Sequence, residues 1–518
     1  MQLVIHTPNG IARPFEAASG ASLIDVLKAA GETAVAPCGG TGTCGRCQVL
    51  VRDRTGTSHR LACQTPAEDG QEIILEDLGA LHVEGAHQER GANPSSDAKA
   101  ETAAPDEAHP LGAAIDIGTT TMAAYLVDLA TGQVLGTAGK VNPQATYGSD
   151  VIARIEAAAR PSGRAALSDL LRTAIDQLVA TLGQQAAVDP LRIERLVLAG
   201  NTVMEHFAAG LNPRPIGVAP FTPASLFGTS LELHAPTGAA RKRAYFAPAI
   251  AGYVGGDITA GLHAAGMADR EQLQLFIDIG TNGEMALGNR DGMICCATAA
   301  GPAFEGASIA LGMPALPGAV CAVRLAGQAL QIDTIDGLPA LGICGSGLLD
   351  AVACLLEAGL VDETGRMASP DEVEGPFSSL LGTAQGQSAC YLDAKRNVYV
   401  TQDDVRQVQL AKAALRAGVE TMLDEQGAVY DDVGELALAG GFGMRLNPAS
   451  AARIGLIPPA LENRVRQWGN AAGQGAVAAL FDEGRAALEH IARTCRYVEL
   501  SSSRAFNDHY LDAMGFDD

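Results

Sequence analysis

The 518-residue chain sets 36 Lys and Arg against 59 Asp and Glu, a formal charge of −23 with histidines neutral. That balance repels phosphate backbones, and no stripe of Lys and Arg offsets it, so nucleic acid is excluded as an expected partner. Hydrophobic residues at 47%, 60 glycines and one tryptophan fit a soluble, glycine-rich α/β protein. The length exceeds what one core supports, so a small domain plus a larger two-lobed one is expected.

The start, Met1-Gln-Leu-Val-Ile-His-Thr-Pro, has no basic leader and no long apolar run, and residence in the cytoplasm is expected. The 11 cysteines of such a chain should be thiols or metal ligands, not a disulfide framework. Residues 1–86 read as a compact α+β domain, with strands at Gln2 to His6, Cys47 to Arg52 and Glu72 to Leu75 and a helix at Ser22 to Ala30.

Within that domain stands Cys38-x5-Cys44-x2-Cys47, with Cys63 after a further 15 residues. Two irons need four thiolates, and Gly39, Gly40, Gly42 and Gly45 let backbone N–H groups turn toward the sulfides. A zinc site or unrelated core thiols are the alternatives, although zinc favours two separated Cys-x2-Cys knuckles. None of Cys295, Cys296, Cys321, Cys344, Cys354, Cys390 and Cys495 lies in such a pair, so they read as core thiols and not as a second cluster.

Residues 87–110 are polar and small, with too little apolar surface to pack, and read as a flexible linker. From residue 111 to the end at 518 the pattern is α/β. Leu111 to Ile117 is a buried-strand run ending in Asp116, followed by Gly118-Thr119-Thr120-Thr121 and a returning strand at Ala123 to Leu129. Ser149 or Asp150 caps a helix on which Val151, Ile152 and Ile155 are read as one face, and Leu170, Leu171, Ile175, Leu178 and Val179 repeat the spacing.

The strand, Asp and Gly-Thr pattern returns at Leu275 to Glu284, with Asp278 and Gly280-Thr281-Asn282-Gly283, and suggests two related halves of one fold. Gly306 to Val323 is uncharged, but Gly312, Pro314, Pro317 and Gly318 break any membrane helix, so a buried loop or strand pair is expected. Further helices are expected at Gly347 to Ala358, Gln402 to Glu425 and Gly475 to Arg493. A third glycine-rich element, the strand Glu435 to Ala439 leading into Gly440-Gly441-Phe442, offers a bare turn on which adenosine can rest.

A strand-end Asp followed by a Gly-Thr turn suits phosphate binding: the carboxylate holds hydrated Mg²⁺ while turn N–H and hydroxyl groups meet phosphate oxygens. One copy reads equally well as a plain hairpin turn. Neither a Gly-x4-Gly-Lys-Ser/Thr loop nor a strand-borne Gly-x-Gly-x2-Gly occurs, which disfavours P-loop and dinucleotide-binding folds.

Two resemblances follow from these residues. The four cysteines, with Arg60-Leu61-Ala62-Cys63-Gln64-Thr65, resemble the plant-type and vertebrate-type ferredoxins, implying a β-grasp, ferredoxin-like fold and a 2Fe-2S cluster on Cys38, Cys44, Cys47 and Cys63. The first cysteine spacing, five residues, departs from the plant pattern. The segments around Asp116, Asp278 and Gly440 resemble the superfamily of acetate and sugar kinases, heat-shock chaperones and actin. That likeness implies a bilobal, actin-like ATPase domain with ATP held between lobes that close on it, on Asp116, Gly118 to Thr121, Asp278, Gly280 to Gly283 and Gly440 to Phe442.

With Asn142-Pro143-Gln144, Tyr147 to Val151, Gly200 to Met204, Gly301 to Gly306, Gly342 to Gly347 and Gly469 to Gly473, nearly the whole chain resembles the reductive activators of corrinoid enzymes. The family implies a homodimer that uses ATP to return an oxidised Co(II) corrinoid protein to Co(I), with electrons from an external low-potential donor. Some relatives carry a further domain where residues 87–110 stand here. An iron-sulfur donor near about −400 mV would pass its electron uphill. A gap of ~200 mV costs roughly 5 kcal/mol, within what ATP supplies.

Three other functions fit parts of the pattern. An activator of 2-hydroxyacyl-CoA dehydratases shares the ATPase fold but holds its cluster on ATPase-domain cysteines. A small-molecule kinase fused to a ferredoxin, and an electron-transfer module with a regulatory nucleotide site, are the remaining readings. The glycine turns at Gly301 to Gly306 and Gly345 to Gly347 serve either a corrinoid partner or close packing, and Asn201 and His206 read as structural.

Overall fold

The computed structural model describes residues 1–6, 12–18, 20–30, 47–53, 56–75, 109–148, 150–233, 242–306, 308–327, 329–395, 397–443 and 445–516. Cys38, Cys44, the glycines between them, Ser149 and linker residues 87–108 lie outside that set. Two compact units divide the chain: Met1–Ala260 with Ala472–Ala492, and Gly261–Ala471 with Arg493–Asp518.

At the N-terminus the strand Gln2–His6 is antiparallel to Ala12–Glu16 and parallel to Glu72–Ile74, which in turn is antiparallel to Gln48–Asp53; Gly56–Leu61 closes a five-stranded sheet. Its alternating inward residues Leu3, Ile5, Val51 and Ile73 meet Leu23 and Leu27 of the helix Leu23–Ala30, every one essentially out of water. This is the expected β-grasp arrangement, with its own small core.

The two larger sheets share a five-stranded core topology and differ in the sixth strand, Thr229–Leu233 beyond Lys242–Phe246 in one and Cys495–Tyr497 beyond Gly292–Thr298 in the other. In the first unit the strands Leu111–Ile117, Thr121–Asp128 and Val134–Val141 form an antiparallel meander, and Leu111–Ile117 also pairs in parallel with Ile193–Gly200, itself parallel to Lys242–Phe246. In the second unit Leu273–Ile279, Gly283–Asn289 and Gly292–Thr298 form the same meander. There Leu273–Ile279 pairs in parallel with Val433–Ala439, and that with Val465–Gly469. The repeated strand, Asp and Gly-Thr pattern therefore marks two halves built alike. In each, the Asp strand is central and carries a continuous apolar run because both of its faces are covered.

Two local expectations need correction. Val151 and Ile155 are buried but Ile152 is 41% exposed: adjacent residues lie about 100° apart on a helix, and the inward stripe runs through the i and i+4 pair Val151 and Ile155. Asp150 supplies the cap, its Oδ1 accepting from the Ala153 N–H at 2.8 Å. The helix expected at Gly475 to Arg493 is two, Ala471–Ala478 and Asp482–Thr494. The chain turns at Leu480, which is fully buried, and a Cβ on Gly484 would stand 2.1 Å from the Ala478 carbonyl oxygen, so the second helix doubles back against the end of the first. The Gln402–Gln426 helix matches its expectation and carries a capping box on Thr401 and Asp404. Within Gly306 to Val323 the chain makes turns and then enters the strand Ala319–Ala326; among the described residues no helix is long and apolar enough to cross a membrane.

Candidate functional site

Cys47 enters its strand fully buried, and Cys63 sits in the turn that follows Gly56–Leu61. Ala62 N–H donates to the Cys47 carbonyl at 2.7 Å, and the helix start is fastened to the same turn by Leu23 N–H to Thr65 O at 2.9 Å and Ile24 N–H to Ala62 O at 3.0 Å. The two sulfurs end 3.1 Å apart, and the Cys63 N–H points at the Cys47 sulfur at 3.4 Å. That separation is well beyond an S–S bond of about 2.05 Å, so these are two unlinked thiols lying side by side.

The first Gly-Thr turn is built from behind. Asn142 donates from Nδ2 to the Gly118 carbonyl at 2.9 Å and from its backbone N–H to the Thr120 carbonyl at 2.9 Å. Arg154, wholly buried, donates from Nη2 to the Thr119 carbonyl at 2.7 Å. Asn201 donates from Nδ2 to the Thr119 hydroxyl at 2.9 Å while its Oδ1 caps the helix Thr202–Ala209 at Met204 N–H. Thr119 is thereby buried and fixed, Thr120 is half-buried, and Thr121 opens the next strand in an exposed position. A Cβ on Gly118 would meet the Thr121 carbonyl oxygen at 2.5 Å, so only glycine allows a turn this tight.

Asp116, half-buried at the strand end, has acidic company. Asp257 begins the helix Gly256–Ala264, and burial, then the Asp116 charge, push its carboxyl up to about 7. Glu205, on the helix capped by Asn201, is wholly buried; burial and Asp257 hold its acid well above the usual range, opposed by the nearby Gly200 N–H. Neither Glu205 oxygen reaches hydrogen-bond geometry with a described group. His206 is a core group: its Nδ1 meets the Thr202 carbonyl at 2.6 Å and its Nε2 accepts from Ala224 N–H at 3.0 Å. Asn201 is structural too, but it is also part of the turn.

In the second unit the matching turn is held differently. Gly280 N–H donates to the Asn282 carbonyl at 3.0 Å, and the buried Thr281 hydroxyl donates to Glu305 Oε1 at 2.9 Å. Asn282 is half-buried, and Gly283 is glycine for packing, since a Cβ there would lie 2.2 Å from Leu415 Cδ2. Gly440, at φ +86, comes so near Asp278 that a Cβ would stand 2.6 Å from its Oδ1; on Gly441 a Cβ would meet nothing within 4 Å. Phe442 stacks on Phe304 with centroids 4.9 Å apart. A Cβ on Gly345 would fall 1.9 Å from the Phe304 carbonyl oxygen, and one on Gly347 would fall 2.1 Å from that of Val320. Gly345 and Gly347 thus serve close packing, as does Gly306, where a Cβ would stand 2.7 Å from Met313 N, whereas one on Gly301 would meet nothing within 4 Å; the same segment brings Glu305 to the second Gly-Thr turn.

Residues 6–68 match the 2Fe-2S iron-sulfur cluster binding domain, 111–270 the RACo middle region, and 272–518 the C-terminal domain of RACo, the ASKHA domain. The chain is 33% identical to the corrinoid activation enzyme RamQ of Eubacterium limosum over 424 residues, covering 79% of this chain and 70% of that one. It belongs to the family of reductive activators of corrinoid proteins. A solved structure titled reductive activator for corrinoid, iron-sulfur protein aligns at a TM-score of 0.71 with 30% identity, over 99% of this chain and 98% of that one. The [Co(II) methylated amine-specific corrinoid protein] reductase of Methanosarcina barkeri is 25% identical over 441 residues, 78% of this chain and 77% of that one.

The activator thus carries a cluster-binding ferredoxin-type domain and an ASKHA domain. Of its seven other cysteines, six are buried and Cys321 half-buried. Burial pushes the Cys354 thiol up to about 11 and that of Cys390 to about 12, so these are core thiols and poor ligands. Among the described residues no group of three or more His, Cys, Asp or Glu is placed to hold a metal ion. Mg²⁺ does not require such a group, since it keeps several waters and is held by one or two carboxylates beside phosphate oxygens.

Proposed function

We propose that this chain is an ATP-dependent reductive activator that returns the Co(II) corrinoid of a methyltransferase-system partner protein to Co(I). Its names among relatives, corrinoid activation enzyme and Co(II) corrinoid protein reductase, support that reaction class. The observation that carries the ATP reading is the duplication: two sheets with the same five-stranded core each end a central strand in a half-buried Asp followed by a Gly-Thr turn. In this reading Asp116 and Asp278 hold hydrated Mg²⁺, Gly118 to Thr121 and Gly280 to Gly283 receive phosphate oxygens, and Gly440, Gly441 and Phe442 receive adenosine.

Cys38, Cys44, Cys47 and Cys63 are the proposed cluster ligands; the cluster, when bound, accepts and passes on one electron at a time. Residues 1–86 form the electron-carrying domain, 87–110 the tether that lets it move between donor and corrinoid, and 111–518 the ATPase. An external low-potential donor, a homodimeric assembly and a cytoplasmic setting complete the proposal. Tight binding of the Co(II) partner and release of the Co(I) product on nucleotide turnover would supply part of the drive.

The test mixes the reduced chain, MgATP and candidate Co(II) corrinoid proteins and follows the visible spectrum. Appearance of Co(I) that requires ATP is the expected result. Reduction equally fast without nucleotide would reduce the chain to a plain electron carrier, and no reduction of any candidate would reject the assignment.

A further inference from the structure

Three successive carbonyls of the first phosphate turn are drawn to one side. Gly118 O and Thr120 O are taken by Asn142 and Thr119 O by Arg154, and Asn142 and Arg154 both lean on the same sulfur, Met204 Sδ, at 3.6 and 3.5 Å. A trans peptide points its N–H opposite to its C=O. Holding the Gly118, Thr119 and Thr120 carbonyls toward that buried layer therefore turns the N–H groups of Thr119, Thr120 and Thr121 the other way.

Arg154 is the charged member of the layer. Its Nε donates to the Gly148 carbonyl at 3.0 Å and its Nη1 to Gln144 Oε1 at 3.2 Å, while Gln144 is itself oriented by Nε2 donation to Leu167 O at 2.9 Å. These bonds leave the guanidinium little freedom, so the 2.7 Å contact with Thr119 O is rigid. A cation bonded to a carbonyl polarises that peptide and strengthens its N–H as a donor at the opposite end. The low-dielectric surroundings of a wholly buried side chain enlarge the effect.

Resting on the proposal that ATP binds this turn, we propose that Arg154 is a positioning residue for the nucleotide phosphates. Its cationic grip on the Thr119 carbonyl holds the Thr120 N–H forward as an anion donor, and the side chain itself never touches the nucleotide. The gain is specific to phosphate and indifferent to the base.

The experiment measures binding of MgATP, MgADP and adenosine to the full chain by calorimetry, with Arg154→Gln and Arg154→Lys beside the unchanged protein. Gln should weaken MgATP roughly 10- to 100-fold, the worth of one hydrogen bond to a charged group, with adenosine within about twofold. Lys, keeping the cation, should recover part of the loss, and the KM for ATP should rise by a larger factor than kcat falls. MgATP binding unchanged by Gln, equal losses of ATP and adenosine, or a Lys variant no better than Gln would each overturn the role. Should Gln fail to fold, the ratio of ATP to adenosine affinity in the Lys variant decides: a reduced ratio supports the grip, an unreduced one overturns it. Absence of MgATP binding by the unchanged chain would instead overturn the ATP reading and the inference with it.

Discussion

The two Asp and Gly-Thr turns sit on strands of the same order and direction, yet what lies behind them differs in sign. Behind the first stand an arginine and two asparagines whose donors grip the turn's oxygens. Beside the second stand a glutamate that accepts from Thr281 and a glycine pressed on Asp278. The first turn is shaped by side chains that grip its backbone, the second by its own Gly280 to Asn282 backbone bond, the Thr281 side-chain bond and steric closeness. Duplicated topology thus preserved where the carboxylates sit but not how the turns are held. The first is expected to respond most to losing a donor, the second to an added methyl group.

The comparison breaks most visibly at the carboxylates. Asp116→Asn and Asp278→Asn should each lower ATP-dependent Co(I) formation at least ~100-fold, as loss of a charge-stabilising group in phosphoryl transfer does, with the cluster's visible spectrum intact. If only one variant loses activity, the two turns do different work. Next in size is Gly440→Ala, where a positive φ and a Cβ 2.8 Å from Ile279 O should cost about 1–2 kcal/mol or more in thermal stability. Its neighbour Gly441→Ala, with nothing within 4 Å, should stay within about 0.5 kcal/mol by the same scan.

On the first turn, Asn201→Ala removes a helix cap and the Thr119 bond together and should cost about 1–2 kcal/mol, read as a lowered melting temperature. The smallest effect is a slope. Glu205 holds its proton in the folded chain well above the 4.5 of an unfolded one. Between those values the unfolded state binds fewer protons, so stability falls as pH rises from about 4.5. Glu205→Gln should flatten that part of the melting-temperature profile; a profile as steep as the parent's would show that Glu205 is ionised in the fold.

Much of the site was legible because its chemistry is local. Cys47 and Cys63 converge as their flanking strands require, and both Asp residues end strands whose apolar runs announce them. The helix break near Leu480 and the outward turn of Ile152 were not legible, since an apolar residue reads alike whether it faces a core or solvent. Glu205 and Asp257 were missed for another reason: an isolated acid in a sequence looks solvated until burial is known. The Gly255-Gly256-Asp257 triplet was the available signal.

What the sequence determined by itself is the set of candidate groups: the four cysteines, the two strand-end carboxylates and the glycine turns, each defined by neighbours a few residues away. Only the tertiary structure decided what holds the first turn in place. Asn142, Arg154 and Asn201 reach it across 24, 35 and 82 residues, and no periodicity encodes a hydrogen bond over such separations. A buried polar side chain gains its meaning from the acceptor it meets, and the fold alone brings the two together.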